Sequence, residues 1–366
     1  MRHSWERAVS TVIVRLFADD GLVGYGEAKG VMVPRAVQEI IEHLLSDVVT
    51  GSDPFDVDML WYRMYATMRA RGHYQGFMQE AIAGVDIALW DLIGKATNRP
   101  IHKLLGGSYR DAIRIYASAL PGLPVGWTQQ DEAKLATAAR AFVAAGFGGV
   151  KVGIGFGMAA DVRSIEIVRE AVGSDVLILV DALGSYDLVS ATRLGTELAE
   201  LRVGWFEAPL PPEDLEGYVR LSQQCPVPIA NDLIWTSRGV KDLLQRGARI
   251  IPQPEVIKVG ISECKRIAML ADLFDLPYAP HVSIGSAIQF AATAQVAASC
   301  PNFLISEFWA DDNPLGNPIL QDPLVIRQGH LIVPTNPGLG ISIDESRLRQ
   351  YSLETAPRTT APTERR

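Results

Sequence analysis

Short apolar runs that end in a charged residue recur in the second half of the chain. Three of them end at Asp181, Glu207 and Asp232. A short, fully apolar run is typical of a strand that is buried on both faces of a parallel sheet. Each charged residue is then expected at the carboxyl end of its strand, just outside the apolar interior.

The spacing of these residues predicts a repeat of one strand and one helix. They follow each other after 26 and 25 residues (207−181 and 232−207), which is room for a strand, a helix and two short loops. The same alternation predicts eight strands, at 113–117 and 149–152, in three segments that end at 181, 207 and 232, and at 249–255, 276–281 and 303–307. Eight such units predict an α/β fold with a (β/α)8-type barrel. An open doubly wound sheet is the alternative, disfavoured because no glycine-rich phosphate turn follows the first strand.

The first hundred residues have a different pattern. Residues 9–17 and 22–27 predict two strands joined by a hairpin turn that contains Asp20-Gly21. From residue 35 to about 105 the pattern is helical, and the apolar residues within 81–95 follow the helical period. A small α+β unit is therefore expected before the barrel. The tail at 356–366 is rich in proline, threonine and arginine and is expected to be disordered.

Composition narrows the possible classes of function. The net charge of −8 and the pI of about 5.4 argue against a nucleic-acid partner, which needs a basic surface. No stretch approaches the roughly 18 apolar residues of a membrane span, and the first residues contain no apolar signal region. Cys225, Cys264 and Cys300 are far apart and predict buried thiols in a reducing compartment. We therefore expect a cytoplasmic protein without a membrane partner.

Polar residues occupy seven predicted strand ends, where the active sites of barrels form. They are Lys151, Asp181, Glu207, Asp232, Glu255, His281 and Glu307. Any one of them alone would most simply be a helix cap, a solvated charge or a structural histidine. Seven polar residues that all fall at strand ends favour an active site.

Three neighbouring carboxylates, Asp181, Glu207 and Asp232, favour Mg²⁺, which prefers oxygen ligands and leaves positions open for a substrate. Lys151 and His281 lie on opposite sides of this trio in strand order. In a closed barrel they are expected to face each other across the ion. The ion would acidify the proton α to a bound carboxylate, and either residue could then remove that proton. Lys151 needs a lowered pKa for this role, and a nearby cation acts in that direction.

Two further acids complete the expected catalytic set. Glu255 precedes His281 by one strand and could hold the imidazole through a hydrogen bond. Glu307, if protonated, could donate a hydrogen bond to the substrate carboxylate oxygen that gains charge. The predicted partner of this site is therefore a small-molecule carboxylate.

Several motifs resemble those of the enolase superfamily, and within it the mandelate racemase subgroup, which includes many sugar-acid dehydratases. They are Ala88–Lys95, Gly149–Gly153, Asp181, Trp205–Pro209 and Pro280–His281. The resemblance covers about residues 9 to 345. It implies Mg²⁺-dependent abstraction of a proton α to a carboxylate, in a homo-oligomer that ranges from dimer to octamer in the family.

The resemblance also implies a domain organisation. We expect an α+β capping domain at 1–110, shorter at its start than is usual in the family, and a modified TIM barrel at 111–320. A C-terminal segment at 321–355 is expected to return to the cap, before the tail at 356–366.

Carried over position by position, the resemblance makes Asp181, Glu207 and Asp232 the metal ligands. It makes Lys151 the base of a Lys-x-Lys motif and His281 a second acid or base. The chain departs from the family pattern at five positions. Gly149 replaces a lysine, Glu255 an aspartate, Leu183 an asparagine and Ala208 a glutamate. Asp232 falls on a glycine that precedes a glutamate ligand in many members, and it matches instead the aspartate ligand of muconate-lactonizing-type relatives.

The leading expectation is a dehydratase (hydro-lyase) of an aldonate or aldarate. A lysine and a histidine on opposite faces of the substrate equally suit a racemase or epimerase, and a lactone cycloisomerase belongs to the same chemistry. The departures from the family pattern favour a third class, a catalytically impaired member that only binds a ligand. The polar stretch Arg69–Gln75 is an additional candidate for substrate contact from the cap.

Overall fold

The computed structural model describes residues 10–234 and 236–353, and its first element is an antiparallel hairpin. The hairpin and the helices that follow it form the cap. Its elements are β1 Val12–Phe17, β2 Val23–Ala28, α1 Pro34–Ile40, a π-helical turn Ile41–Leu45, α2 Ser46–Val49, α3 Val57–Arg69, α4 Phe77–Ala96 and α5 Ile101–Leu104. The predicted tail at 356–366 lies outside the described residues.

A parallel barrel follows the cap. Its strands are β3 Ala112–Pro121, β4 Gly149–Gly153, β5 Leu177–Asp181, β6 Phe206–Glu207, β7 Ile229–Asn231, β8 Ile250–Pro252 and β9 Ser306–Trp309. The helices between them are α6 Gln129–Ala144, α7 Met158–Val172, α8 Leu188–Glu200, α9 Leu215–Gln224, α10 Ser237–Gln245, α11 Val256–Asp272 and α12 Ala287–Ala298. β3 to β8 pair in sequence order, and β9 pairs in parallel with β3. The predicted α/β barrel fold is confirmed.

The predicted strand at 276–281 forms only isolated pairs between β8 and β9. Tyr278 pairs with Phe303, and Ala279 N donates to Pro252 O at 3.3 Å. Pro277 and Pro280 flank these residues and have no backbone N–H to give to a ladder, so a continuous strand cannot form here. The segment still lies in the seventh barrel position and closes the ring.

Two glycines allow the cap hairpin to lie directly on a helix. A Cβ on Gly24 would stand 2.2 Å from Ala88 O, and one on Gly26 would stand 1.9 Å from Gly84 O. No side chain fits at either position, so β2 packs against the backbone of α4. This close contact brings the end of β2 to the mouth of the barrel.

The cap also touches the barrel at a break in α11. Gly260 has φ 87° and interrupts the helix between its first turn and the rest. A Cβ there would lie 2.6 Å from Asp86 Oδ2 of α4. Asp86 accepts hydrogen bonds from Ser262 N at 2.9 Å and from Ser262 Oγ at 2.6 Å. A cap side chain thus satisfies the backbone where the second part of α11 begins.

The C-terminal segment runs back along the molecule. β10 Ile326–Arg327 and β11 His330–Ile332 form a hairpin that continues the sheet antiparallel to β3, and α13 spans Glu345–Arg349. Tyr25 Oη in β2 donates to Glu345 Oε1 at 2.5 Å, and Leu339 N donates to Asp91 Oδ1 at 2.8 Å. Among the described helices, none is long and apolar enough to cross a membrane.

Candidate active site

The structure brings all seven predicted polar residues together at the carboxyl ends of the barrel strands. None of the seven is more than 8% exposed. Five are carboxylic acids, so the site concentrates negative charge in a region with little water. Such an arrangement requires cations close by.

The Lys151 ammonium lies between three of these carboxylates. Its Nζ is 2.8 Å from Glu207 Oε1, 2.8 Å from Glu307 Oε1 and 3.5 Å from Asp181 Oδ2. Burial lowers the pKa of Lys151, but the Glu207 and Glu307 carboxylates raise it by more, to well above its ordinary value. In this charge state Lys151 is a proton donor. A role as a base requires that another cation neutralise the carboxylates.

Glu207 at the end of β6, Asp232 just after β7 and His281 form the group of described residues whose geometry suits a divalent cation. Ligand atoms of Glu207, Asp232 and His281 all lie within 4.8 Å of one another. The predicted ligand Asp181 is not part of this group, and its Oδ2 lies 3.5 Å from Lys151 Nζ. Asp232 Oδ1 is buried and has no hydrogen-bond partner among the described residues, which is costly unless a cation or water binds it.

The pKa values of the three carboxylates shift in different directions. Burial raises the pKa of Asp232, but Lys258 and His281 lower it by more. Burial raises the pKa of Glu207 to about 8 although Lys151 lowers it, and burial likewise raises the pKa of Asp181. The donor set of carboxylate oxygens suits Mg²⁺. Asp181, Glu207 and Asp232 would hold it, and each remains a predicted ligand.

Strained backbone follows two of these carboxylates. Leu183 has φ 50° and Ala208 has φ 42°, a left-handed conformation that costs energy for residues with a side chain. Leu183 N donates to Asp181 Oδ1 at 3.0 Å. The turn after β5 thus fixes one oxygen of Asp181 and leaves the other directed at Lys151.

His281 lies on the opposite side of Glu307 from Lys151. Its Nε2 is 3.3 Å from Glu307 Oε2 and 3.7 Å from Asp232 Oδ2, while its Nδ1 is 3.2 Å from Glu255 Oε2. Burial lowers the pKa of His281, but Glu307 and Glu255 raise it by more. The imidazolium form, which can donate a proton from Nε2, is therefore favoured.

Glu255 is surrounded by donors that the sequence did not point to. Lys29 Nζ lies 2.8 Å and Lys258 Nζ 3.2 Å from its Oε2. Gln289 Nε2 donates to its Oε1 at 2.8 Å, and both the backbone N and the hydroxyl of Ser283 donate to the same oxygen. Burial raises the pKa of Glu255, but Lys29, Lys258 and His281 hold it well below its usual range.

Three further residues support the site from below and from the side. Trp205 Nε1 and Gln253 Nε2 donate to Glu207 Oε2 at 3.1 and 2.9 Å, and Ser118 hydrogen-bonds Glu307. Trp205 stands in a motif that the sequence analysis named without giving this residue a role. Gln253 and Ser118 were missed because glutamine and serine at strand ends carry no distinctive spacing. Lys258 could have been found, since it follows Glu255 by one helical turn.

The polar stretch Arg69–Gln75 is exposed throughout. Arg69 lies 5.5 Å from the ring centroid of Tyr65, which is a contact within the cap. No contact with the seven site residues is observed for this stretch within the described part of the chain, so a substrate role for it stays a prediction.

Comparison with known proteins assigns the family. The model of the mandelate racemase / muconate lactonizing enzyme N-terminal domain matches residues 2–106, and the enolase C-terminal domain-like model matches residues 134–347. The chain belongs to the mandelate racemase and muconate lactonizing enzyme family of the enolase superfamily. The resemblance seen in the sequence is confirmed, and the protein is an enzyme of this superfamily.

Three relatives illustrate the range of this family. A D-galactarolactone cycloisomerase of Agrobacterium fabrum is 35% identical over 93% of this chain and 91% of its own length. An arabinonate dehydratase of Saccharolobus solfataricus is 34% identical over 95% and 92%. The crystal structure of a racemase from Streptomyces coelicolor A3(2) with bound magnesium superposes with a TM-score of 0.83 at 26% identity, over 93% and 91%. Members of the superfamily use Mg²⁺.

Proposed function

We propose that the protein is a Mg²⁺-dependent dehydratase that removes the proton α to the carboxylate of a sugar acid and eliminates the β-hydroxyl. The observation that carries the proposal is the position of Glu307, whose two oxygens contact Lys151 on one side and His281 on the other. A carboxylate that binds beside Glu307 lies within reach of both proton-transfer groups. The named relatives that act on sugar acids support this substrate class.

Each residue then has a defined task. Bound Mg²⁺ would supply positive charge that stabilises the charge developing on the substrate carboxylate. Lys151, once neutral, accepts the α-proton at Nζ, and the C–H electron pair becomes the new C=C bond. His281 donates the proton on Nε2 to the departing β-hydroxyl, which leaves as water, and the enol product rearranges to a 2-keto-3-deoxy acid. Glu255 orients the imidazole. Burial raises the pKa of Glu307, but Lys151 and His281 lower it by more, so Glu307 is ionised and holds the two proton-transfer groups in place, and the hydrogen bond that it was expected to donate is not supported.

A lactone cycloisomerase is the second candidate, favoured by the 35% identical cycloisomerase from Agrobacterium fabrum. That reaction begins with the same α-proton abstraction, but the leaving group is the ring ester oxygen and no water is released. Because the same lysine and histidine serve both reactions, the substrate decides between them.

A panel of aldonates, aldarates and their lactones, incubated with the enzyme and Mg²⁺, tests the proposal. The proposal expects 2-keto-3-deoxy acids from at least one open-chain acid. Turnover of lactones alone, with no open-chain acid consumed, would replace the dehydratase by the cycloisomerase. Exchange of the α-hydrogen without product would indicate a racemase, and no turnover or exchange with any substrate would indicate an impaired member.

A further inference from the structure

The barrel residue Glu255, which contacts His281, is in contact with the cap at Oε2 through Lys29. Its Oε1 binds Ser283 and also Gln289, whose backbone N donates to the cap residue Glu27. We propose that the end of β2 belongs to the catalytic apparatus, with Lys29 and Glu27 acting as positioning residues for the Glu255 carboxylate. The proposal rests on the proposed function, because it assumes that His281 transfers a proton.

Lys29 contacts Glu255 directly. Its Nζ lies 2.8 Å from Glu255 Oε2, and its backbone N donates to Ile257 O at 3.1 Å, at the start of α11. The Lys29 side chain is only 13% exposed, and that of Glu255 is fully buried. Water is therefore a poor substitute for this ammonium, and Glu255 without it would turn toward other donors.

Glu27 acts on Glu255 indirectly, through the start of α12. It accepts hydrogen bonds from Ser286 N at 2.8 Å, Ser286 Oγ at 2.7 Å and Gln289 N at 3.1 Å. A carboxylate at a helix start binds the free N–H groups and the positive end of the helix dipole. Glu27 thereby fixes the first turn of α12, and Gln289 in that turn donates to Glu255 Oε1 at 2.8 Å.

The chain has a specific need for this support. A glutamate side chain has one more rotatable bond than an aspartate, and that bond must be fixed if the carboxylate is to hold one position. Its Oε2 serves Lys29, Lys258 and His281 Nδ1 at the same time. Lys258 and His281 belong to the barrel, and Lys29 belongs to the cap. The position of Oε2 therefore depends on the docking of the cap through Lys29.

The consequence is a link between cap docking and proton transfer. A misplaced group near the reacting atoms slows the chemical step by orders of magnitude. Its effect on the affinity for substrate is smaller. A misplaced Glu255 would leave His281 Nε2 free to turn away from the substrate while the Mg²⁺ ligands stay in place.

The test compares Lys29→Met with Lys95→Met. Lys95 is a matched control, because it is also a cap lysine that pairs with a buried carboxylate, Asp91 Oδ2 at 2.6 Å, away from His281. We expect Lys29→Met to lower kcat roughly tenfold or more with little change in KM, and Lys95→Met to change kcat at most about twofold. Lys29→Arg, which keeps the charge, should recover part of the activity.

Crystal structures of both variants supply a readout that needs no substrate. The proposal expects the Glu255 carboxylate to move away from His281 in Lys29→Met and to stay in place in Lys95→Met. An unmoved Glu255, or equal losses of kcat in the two variants, would overturn it. Should Lys29→Met not fold, Glu27→Gln tests the indirect contact through α12, again by kcat and by the position of the Glu255 carboxylate. If the wild-type enzyme dehydrates no sugar acid, the proposed function fails while the position of Glu255 still decides this proposal.

Discussion

Lys151 and Glu307 form a buried ion pair in which Nζ and Oε1 are 2.8 Å apart. The pair joins the second and the last strand of the barrel across the mouth of the site. The candidate base is held as an ammonium ion, because Glu207 and then Glu307 raise the pKa of Lys151 by more than burial lowers it. Binding of a cation and a substrate must therefore redistribute charge before Lys151 can accept a proton.

Replacing His281 by asparagine should abolish turnover and leave the fold intact. Asparagine is polar and of similar size but cannot donate a proton as an acid, and loss of such a group typically costs about 10²–10⁴-fold in rate. The measurement is kcat on the best sugar acid, with circular dichroism as a check on folding. His330→Asn, at an exposed position on β11, is the control. Equal activity in the two variants would remove His281 from the mechanism.

Asp232→Asn should weaken Mg²⁺ binding. The substitution removes one negative charge and replaces one carboxylate oxygen by an NH2 donor, at a side chain whose Oδ1 is buried without a hydrogen-bond partner among the described residues. Calorimetric titration should show a loss of affinity of roughly tenfold or more. Thermal unfolding of the wild type should shift upward in Mg²⁺, since a ligand at a hundred times its Kd adds about 2.7 kcal/mol. Asp242→Asn on the surface of α10 should keep both responses, and an unchanged Mg²⁺ affinity in Asp232→Asn would exclude it as a ligand.

Gly260→Ala should be strongly destabilising. The new Cβ would stand 2.6 Å from Asp86 Oδ2, and the backbone there has φ 87°. Crowding in a packed interior adds about 1–3 kcal/mol to the cost of the left-handed backbone. Gly51→Ala is the control, because Gly51 has φ 72° but no atom within 4 Å of its Cβ position. Urea unfolding should show a larger loss for Gly260→Ala, and equal losses would mean that the contact with Asp86 is unimportant.

The raised pKa of Asp86 should make the stability of the fold depend on pH. Burial raises the pKa of Asp86 from 3.8 to about 6, while Ser262 and Arg266 lower it. A carboxyl whose pKa is higher in the folded state stabilises the fold below its unfolded pKa and loses that contribution as pH rises through 6. The loss between about pH 4 and 6 amounts to about 3 kcal/mol.

Asp86→Asn isolates this effect, because the amide resembles the protonated acid at all pH values. The unfolding free energy of the wild type, measured relative to Asp86→Asn in urea, should fall as pH rises from 4 to 6 and then level off. A difference that stays constant over this range would contradict a raised pKa in the folded protein.

The barrel and its polar strand ends follow from local pattern. Asp181 and Glu207 each close an apolar run, and parallel strands place such ends on one face, so the sequence was enough to group them. The seventh strand was predicted too long, because the prolines at 277 and 280 remove ladder donors within an apolar segment. The pattern of apolar residues predicts a strand but does not show where a proline removes the backbone N–H that the strand needs for pairing.

The contacts of Glu255 could not be predicted in the same way. Lys29 and Gln289 are 226 and 34 residues away along the chain, and neither stands at a spacing that marks it. Their approach depends on Gly24 and Gly26, which let β2 lie on α4, and on the docking of the whole cap. The charge state of Lys151 was also invisible, since it depends on distances to three carboxylates from different strands.

Deuterium exchange at the α-carbon tests the central claim most directly. The enzyme is incubated with a sugar acid and Mg²⁺ in D₂O, and the α-hydrogen of recovered substrate and product is followed by NMR for the wild type and for Lys151→Ala. We expect the wild type to break the α-C–H bond, seen as exchange or as product formation, and Lys151→Ala to do neither at a measurable rate. Exchange or turnover in Lys151→Ala at the wild-type rate would contradict the assignment of Lys151 as the group that removes the α-proton.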